Sequence, residues 1–331
     1  MDSRLTRFCV ALVLLALLAT GASAAQTIWA KGNTHTHTTN SDGDSAPEVV
    51  VDWYKSHGYQ FLFITDHGKV TDPTPLDKAG DDFILIGGEE SAVKGAKKPI
   101  HGCALGITRT IPYTDVAATP AKSIVKMVDE IRQAGGVPQV NHPNFVWSFG
   151  YAELKGLRGP YLLEVFNGHP SVHNSGSESH LSVEQTWDML LSDGVTVYAT
   201  ATDDAHNLKE MAANKANPGR GWIYVRVTSL TADNVLAALR SGDFYASTGV
   251  ELADYAFDGK TMTVRVKPKD GVRYWIRFVG KYGRILQETA GTEASYTVTA
   301  RADANDYVRC KVIASDNTVA WTQAFRIGGA K

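Results

Sequence analysis

Asn33-Thr34-His35-Thr36-His37-Thr38-Thr39-Asn40-Ser41-Asp42-Gly43 sets two imidazoles two residues apart and a carboxylate shortly after them. On an extended chain, residues i and i+2 leave the same face, so His35 and His37 form a pincer. Working outward, similar chemistry recurs at Asp66-His67, Glu89-Glu90, His101, His142 and Asp203-Asp204-Ala205-His206. Most of these follow at once on an apolar, β-type run. Divalent metals are held by nitrogen and oxygen donors gathered from several loops, and this set suffices for two or three ions.

The runs alternate with amphipathic stretches from Ala25 to Gly249, the pattern of a parallel sheet with crossover helices. Predicted strands are Gly32 to Thr38, Tyr59 to Thr65, Phe83 to Glu89, Ile100 to Ile107, Val137 to Asn141, Leu162 to Phe166 and Thr196 to Thr202. Predicted helices run from Pro47 to His57, Pro120 to Ala134, Ser182 to Ser192 and Thr231 to Ser241, with Pro47 and Pro120 suited to a first turn. In such folds the functional side chains gather on the rim where strands end. Residues 250–331 have another texture: short alternating segments between Gly, Asp and Asn predict a small antiparallel sandwich. All ten histidines precede residue 207, so the metal chemistry is confined to the first domain. In the second, Tyr274, Trp275 and Trp321 are read as packing rather than as a carbohydrate platform.

Residues 1–24 read as an export signal: basic Arg4 and Arg7, an apolar core from Val10 to Leu18 too short to span a bilayer, and the small-residue site Ala22-Ser23-Ala24. The expectation is a periplasmic or secreted protein without a transmembrane segment. Of three cysteines, Cys103 and Cys310 lie beyond this signal without metal-type spacing, either as a pair or as buried free thiols. Lys and Arg number 33 against 35 Asp and Glu, interspersed, which gives no nucleic-acid footprint. Nothing in the sequence indicates an oligomeric state.

Taken in order, Asn33 to Gly43, Ile64-Thr65-Asp66-His67, Gly88-Glu89-Glu90-Ser91, His101, Asn141-His142-Pro143 and Asp203 to His206 resemble the successive motifs of the polymerase and histidinol phosphatase (PHP) superfamily. The likeness spans roughly residues 30–210. A secreted branch that includes carbaryl (carbamate) hydrolases is similar also at Pro47 to Tyr59, Glu164 to Gly168 and Gly242 to Gly249. The resemblance implies a distorted (β/α)7 barrel with a di- or trinuclear site at its rim. It further implies that His35, His37, Glu90 and Asp204 surround one metal, that Glu90 bridges to a second held by His101 and His142, and that Asp42, His67 and His206 hold a third.

The residues themselves leave one register open, since Glu89 and Glu90 cannot both face the site from a strand. Spacing from Gly88 selects Glu90, and spacing from Gly87 selects Glu89. Asp66 and Asp203, each beside a ligand candidate, are expected to orient rather than to ligate. His57, His173 and His180 read as packing or hydrogen-bonding residues. Glu164 and Asn167 flank the expected rim as substrate contacts or loop caps, and Lys69, Arg220 and Tyr245 are candidate oxyanion or phosphate contacts. His206 or His169 would protonate a leaving group, while a metal-bridging hydroxide, with Glu90 as bridging ligand, would be the nucleophile.

The nitrogen-rich set favours zinc, manganese or iron over magnesium. The expected function is metal-dependent hydrolysis of a small-molecule ester. Phosphoesters rank first, because several cations complement a multiply charged phosphate, and a carbamate or carboxylic ester ranks second. The competing class is a non-catalytic metal- or glycan-binding module.

Overall fold

The computed structural model describes residues 27–76, 82–298 and 307–328; the expected export signal lies outside the described residues. The chain runs β1 (Ile28–Asn33), α1 (Pro47–Ser56), β2 (Phe61–Ile64), β3 (Ile84–Lys94), β4 (His101–Leu105), β5 (Thr114–Asp115), α2 (Pro120–Gln133), β6 (Val137–Val140), α3 (Tyr151–Leu154) and β7 (Tyr161–Asn167). It continues through α4 (Val183–Ser192), β8 (Val197–Thr202), β9 (Trp222–Val227), α5 (Ala232–Ser241) and β10 (Phe244–Ser247). Local chemistry sets the helix ends. Pro47 and Pro120 occupy first turns, and the Thr119 hydroxyl accepts from Lys122 N. At α4 the Ser182 hydroxyl accepts from Gln185 N, while Gln185 Oε1 accepts from Ser182 N. The face Ile124, Met127, Val128 and Ile131 recurs at three- and four-residue spacing and buries α2 on the sheet.

Strands β2 and β6 are buried at every position, as strands covered on both faces are. β1 pairs parallel with β2, β2 with β3, β6 with β7 and β7 with β8. After β8 the chain meets the segment beyond β1: Thr36 bridges Ala205, Asp204 N donates to His35 O and His37 N donates to Ala205 O. Seven strands thus form a ring closed by a single bridge. The approach of β1 to β2 is tight at Gly32, where a Cβ would lie 2.3 Å from the Phe61 ring.

Two expectations need correction. The sheet is mixed rather than parallel, because β4 runs antiparallel to both β3 and β6. The strand through the pincer also ends early, at Asn33, and the short Thr36 bridge then keeps the chain extended.

The C-terminal region comprises β11 (Leu252–Phe257), β12 (Thr261–Val266), β13 (Tyr274–Gly280), β14 (Arg284–Ala290), β15 (Glu293–Thr297), β16 (Tyr307–Ala314), β17 (Val319–Thr322) and β18 (Phe325–Arg326). β11, β12 and β15 form a separate three-stranded sheet over a core that includes Tyr255, Met262, Ile276, Phe278 and Val312. The other strands extend the large sheet, since β9 pairs with β1, β10 with β9 and β17 with β10. The sheet therefore crosses the expected boundary at Gly249.

Polar bonds tie the same seam. The Gln323 amide exchanges two 2.8 Å hydrogen bonds with the Ala199 main chain. Arg309, buried, makes paired 2.7 Å bonds to Asp188 on α4 and a 2.9 Å bond to Glu184. Burial works against the charge on Glu184, but Arg309 and Lys311 outweigh it and hold the carboxyl down at about 2. Cys103 and Cys310 are buried free thiols, both pushed up in pKa by that burial. Trp321 and Tyr274 are buried, as packing residues are.

Candidate metal centre

The scattered ligand candidates meet on one rim because the topology delivers them there. His35 and His37 follow β1, His67 follows β2, His142 follows β6, and Asp204 and His206 follow β8. His101 opens β4, and because β4 runs antiparallel its first residue lies on the rim that its neighbours reach with their later ones. Glu90 projects from β3 into the middle. His142 (φ 28°) and Asp204 (φ 49°) have left-handed backbones, a region that costs a non-glycine residue on the order of 1–3 kcal/mol and concentrates at functional sites.

Glu90 divides the cluster. Its Oε2 lies 3.3 Å from His35 Nε2, 3.3 Å from His37 Nε2 and 3.2 Å from His67 Nδ1. Its Oε1 lies 3.3 Å from His101 Nδ1 and 3.2 Å from His142 Nε2. Asp204 Oδ1 stands 3.2 Å from both His35 Nε2 and His37 Nε2, which are themselves 3.1 Å apart. A third group gathers around Asp42, whose oxygens lie 3.4 Å from His37 Nδ1, 3.6 Å from His67 Nε2 and 3.3 Å from His206 Nε2. His67 thus faces both Glu90 and Asp42, closer to the former than the resemblance implies.

This donor set fits divalent cations. Donors around a tetrahedral cation at roughly 2.0–2.1 Å stand about 3.3–3.4 Å apart, close to the 3.1–3.3 Å separations of His35 and His37 from each other and from Glu90, with Asp204 Oδ1 3.2 Å from both imidazoles. His101 Nδ1 is buried and makes no hydrogen bond, as expected of a nitrogen whose lone pair serves a cation. His206 Nδ1 meets the Asp204 carbonyl at 2.9 Å. A carbonyl only accepts, so the proton sits on Nδ1 and Nε2 offers its lone pair towards Asp42.

Within the cluster the imidazoles and carboxylates shift one another's protonation. Burial opposes charge on His37, but hydrogen bonds to Asp204 and Glu90 prevail and hold its pKa up at about 9. His35 and His142 are raised against the same burial, chiefly by Asp204 and by Glu90 respectively. Burial also opposes ionisation of Glu90 and Asp204, yet His35 above all holds both well below the usual carboxylate range. His67 and His169 are lowered by burial.

Neighbours hold the loops. Asp66 accepts from Thr38 N, Thr38 Oγ1, Ser41 Oγ and Thr71 Oγ1 at 2.6–2.8 Å, pinning the loop that carries Asp42. Asp203 accepts from Asn33, Tyr54, Arg220 N and Gly221 N. Glu89 turns away from the cluster, accepting from Ile111 N, and burial pushes its pKa up to about 7. The Gly88 spacing therefore selects the residue that faces the donors. His57 stacks on Trp53, and His173 and His180 stack on Trp147.

Among the substrate candidates, four have their groups buried or bonded within the protein. Glu164 and Asn167 are buried beneath the imidazoles, with Glu164 Oε1 2.6 Å from His35 Nδ1. Arg220 spends its guanidinium on the Gly168, Ala212 and Ala213 carbonyls and on Asn217. Tyr245 lies in the second core against Trp29 and Tyr224. Lys69, exposed beside His67 and 3.3 Å from Asn40 Oδ1, stays on the rim. His169 lies with its ring 5.7 Å from that of His206, and its Nδ1 accepts from Ser171 N. Sequence reasoning missed Phe145, whose ring stands edge-on 5.5 Å from His142, and Tyr113, which packs on Gly68; neither is an imidazole or carboxylate that a metal-ligand search would find.

No family model and no curated protein matches the chain. Among solved structures it is similar to a two-domain protein from Bacteroides vulgatus containing a predicted PHP-like metal-dependent phosphoesterase, at 16% identity and a TM-score of 0.45 over 90% of this chain and 96% of that one. A protein from Bifidobacterium adolescentis described as a metal-dependent phosphoesterase matches at 16% identity and a TM-score of 0.37, over 56% of this chain and 89% of its own. An amidohydrolase from Chromobacterium violaceum, with bound sulfate and no metal, matches at 17% identity and a TM-score of 0.35, over 54% and 89% respectively.

Proposed function

We propose that the chain is an exported, metal-dependent hydrolase of ester bonds, phosphoesters before others, built on a distorted (β/α)7 barrel. Export rests on the reading of residues 1–24 as a signal. The observation that carries the chemistry is the convergence of six imidazoles and three carboxylates on three adjoining donor groups, two of which share Glu90 while His37 and His67 join them to the third around Asp42. His35, His37, Glu90 and Asp204 would hold one cation, Glu90 with His101 and His142 a second, and Asp42, His67 and His206 a third. When bound, paired divalent cations bring the pKa of water towards neutrality and polarise the oxygen of the scissile group.

The chain's own residues then orient and exchange protons. Ser171 N–H occupies the lone pair of His169 Nδ1, which leaves the Nε2–H of the neutral ring to donate a hydrogen bond to a leaving-group oxygen, while His206 stands within the donor cluster. Lys69 supplies a rim cation for an anionic substrate.

A second reading, hydrolysis of a carbamate or carboxylic ester, is favoured by the apolar rim of Phe145 and exposed Tyr113 and Val146, and by the commitment of Arg220 to carbonyls. Parallel assays on an aryl phosphate, an aryl phosphodiester and an aryl carbamate decide between the two. Turnover of the carbamate alone reverses the order. A protein that binds metal and turns over none of the three supports the binding-module reading instead.

A further inference from the structure

Glu164 is wholly buried, yet five donors reach its two oxygens. Oε1 takes His35 Nδ1 at 2.6 Å, Thr202 Oγ1 at 2.8 Å and Gln139 Nε2 at 3.3 Å. Oε2 takes the His142 main-chain N–H at 2.7 Å and Asn167 Nδ2 at 2.9 Å. All but the Thr202 arm lead to a candidate ligand. The His35 bond places the proton on Nδ1 and leaves Nε2 to the cluster. The His142 bond holds a main chain that sits at φ 28°. Asn167 Nδ2 also reaches Asp204 Oδ2 at 3.1 Å. Gln139 Nε2 reaches Asn141 Oδ1 at 3.3 Å, and Asn141 Nδ2 donates to Glu90 Oε1 at 2.8 Å.

Resting on the metallohydrolase reading, we infer that Glu164 is a positioning residue that couples the two cation positions on either side of Glu90. It fixes His35 and Asp204 on one side and His142 on the other, so neither ligand set reaches its geometry without the carboxylate that serves both. A neutral amide in its place satisfies one oxygen's partners only. The NH2 of Glu164→Gln would face either the His142 N–H or the His35 Nδ1–H, setting donor against donor.

The test titrates the chelator-stripped, full-length chain with manganese(II) or zinc(II) chloride by calorimetry, with circular dichroism as the check on folding. Wild type is expected to take up at least two ions. Glu164→Gln is expected to weaken two binding steps by about 10–100-fold each, the usual effect of removing such a partner. Asn167→Ala, which cuts the arm to Asp204 alone, is expected to weaken one step. Thr202→Val removes a donor that leads to no ligand and is expected to leave both steps unchanged. A purely structural role for Glu164 would lower stability without this split between variants. Two unaltered steps in folded Glu164→Gln, or only one weakened, overturns the inference. If that variant does not fold, unaltered binding by Asn167→Ala overturns it. A wild type that binds no ion overturns the metallohydrolase reading and this inference together.

Discussion

Raising the pH from 6.5 to 9 is expected to weaken the metal-stripped protein while tightening its hold on cations, and His37 carries both trends. Its pKa in the folded chain stands at about 9 against 6.5 for a free imidazole, because hydrogen bonds to Asp204 and Glu90 overcome burial. A group raised in this way contributes its stability in full below pH 6.5 and loses it as pH climbs through about 9. Across that window the loss is about 3 kcal/mol, at ~1.4 kcal/mol per unit. Cations bind the neutral imidazole, so at pH 7 binding must displace a proton. That displacement makes binding about 50-fold weaker at pH 7 than at pH 9, and the raised His35 and His142 steepen the slope. Calorimetry in buffers of contrasting ionisation enthalpy counts the protons. At least one should leave per first ion at pH 7 and almost none well above pH 9. Denaturant titration of the stripped protein at the two limits measures the stability limb. Affinity that is flat across the window, or a stripped protein more stable at pH 9 than at 6.5, refutes the reasoning.

Glu90→Gln should abolish tight binding of every ion that Glu90 serves, whereas Glu89→Gln should retain the full metal complement; elemental analysis after gel filtration reads both, and the reverse pattern would assign the register to Glu89. Asp188→Ala leaves the buried Arg309 without its paired acceptor and should cost about 3–5 kcal/mol in denaturant unfolding, and a loss under about 1 kcal/mol would show that the seam is not held by this pair. Removing residues 250–331 strips β10 of its partner β17 and exposes the core beneath Trp321, so the truncated chain should aggregate. A monomeric truncated chain on size exclusion, with normal metal uptake, would show that the first domain stands alone.

Much of this was legible because the informative residues follow apolar runs. The helix starts at Pro47 and Pro120 were readable from the fit of proline to a first turn, and the ligand candidates from their types and spacing. The antiparallel course of β4 was not, because the apolar run after His101 reads the same in either direction. β9 escaped although Trp222, Ile223, Tyr224, Val225, Arg226 and Val227 alternate half-buried with buried; its meaning lay in a partner, β10, that the sequence does not announce. For the same reason the pairing of β13, β14, β16 and β17 with the main sheet was not legible, although β11, β12 and β15 do form a sheet of their own. Glu164, Asn167, Arg220 and Tyr245 have residue types suited to substrate contact, and only the packing shows their groups already engaged inside the protein.

Diffraction from crystals soaked in manganese(II) or zinc(II), recorded at the metal's absorption edge, tests the central claim most directly. The expected result is an anomalous peak on each side of the Glu90 carboxylate. One should lie among His35, His37, Asp204 and Oε2, and the other among His101, His142 and Oε1. Anomalous density elsewhere, or none at Glu90 in crystals that hold the metal at other sites, would contradict it.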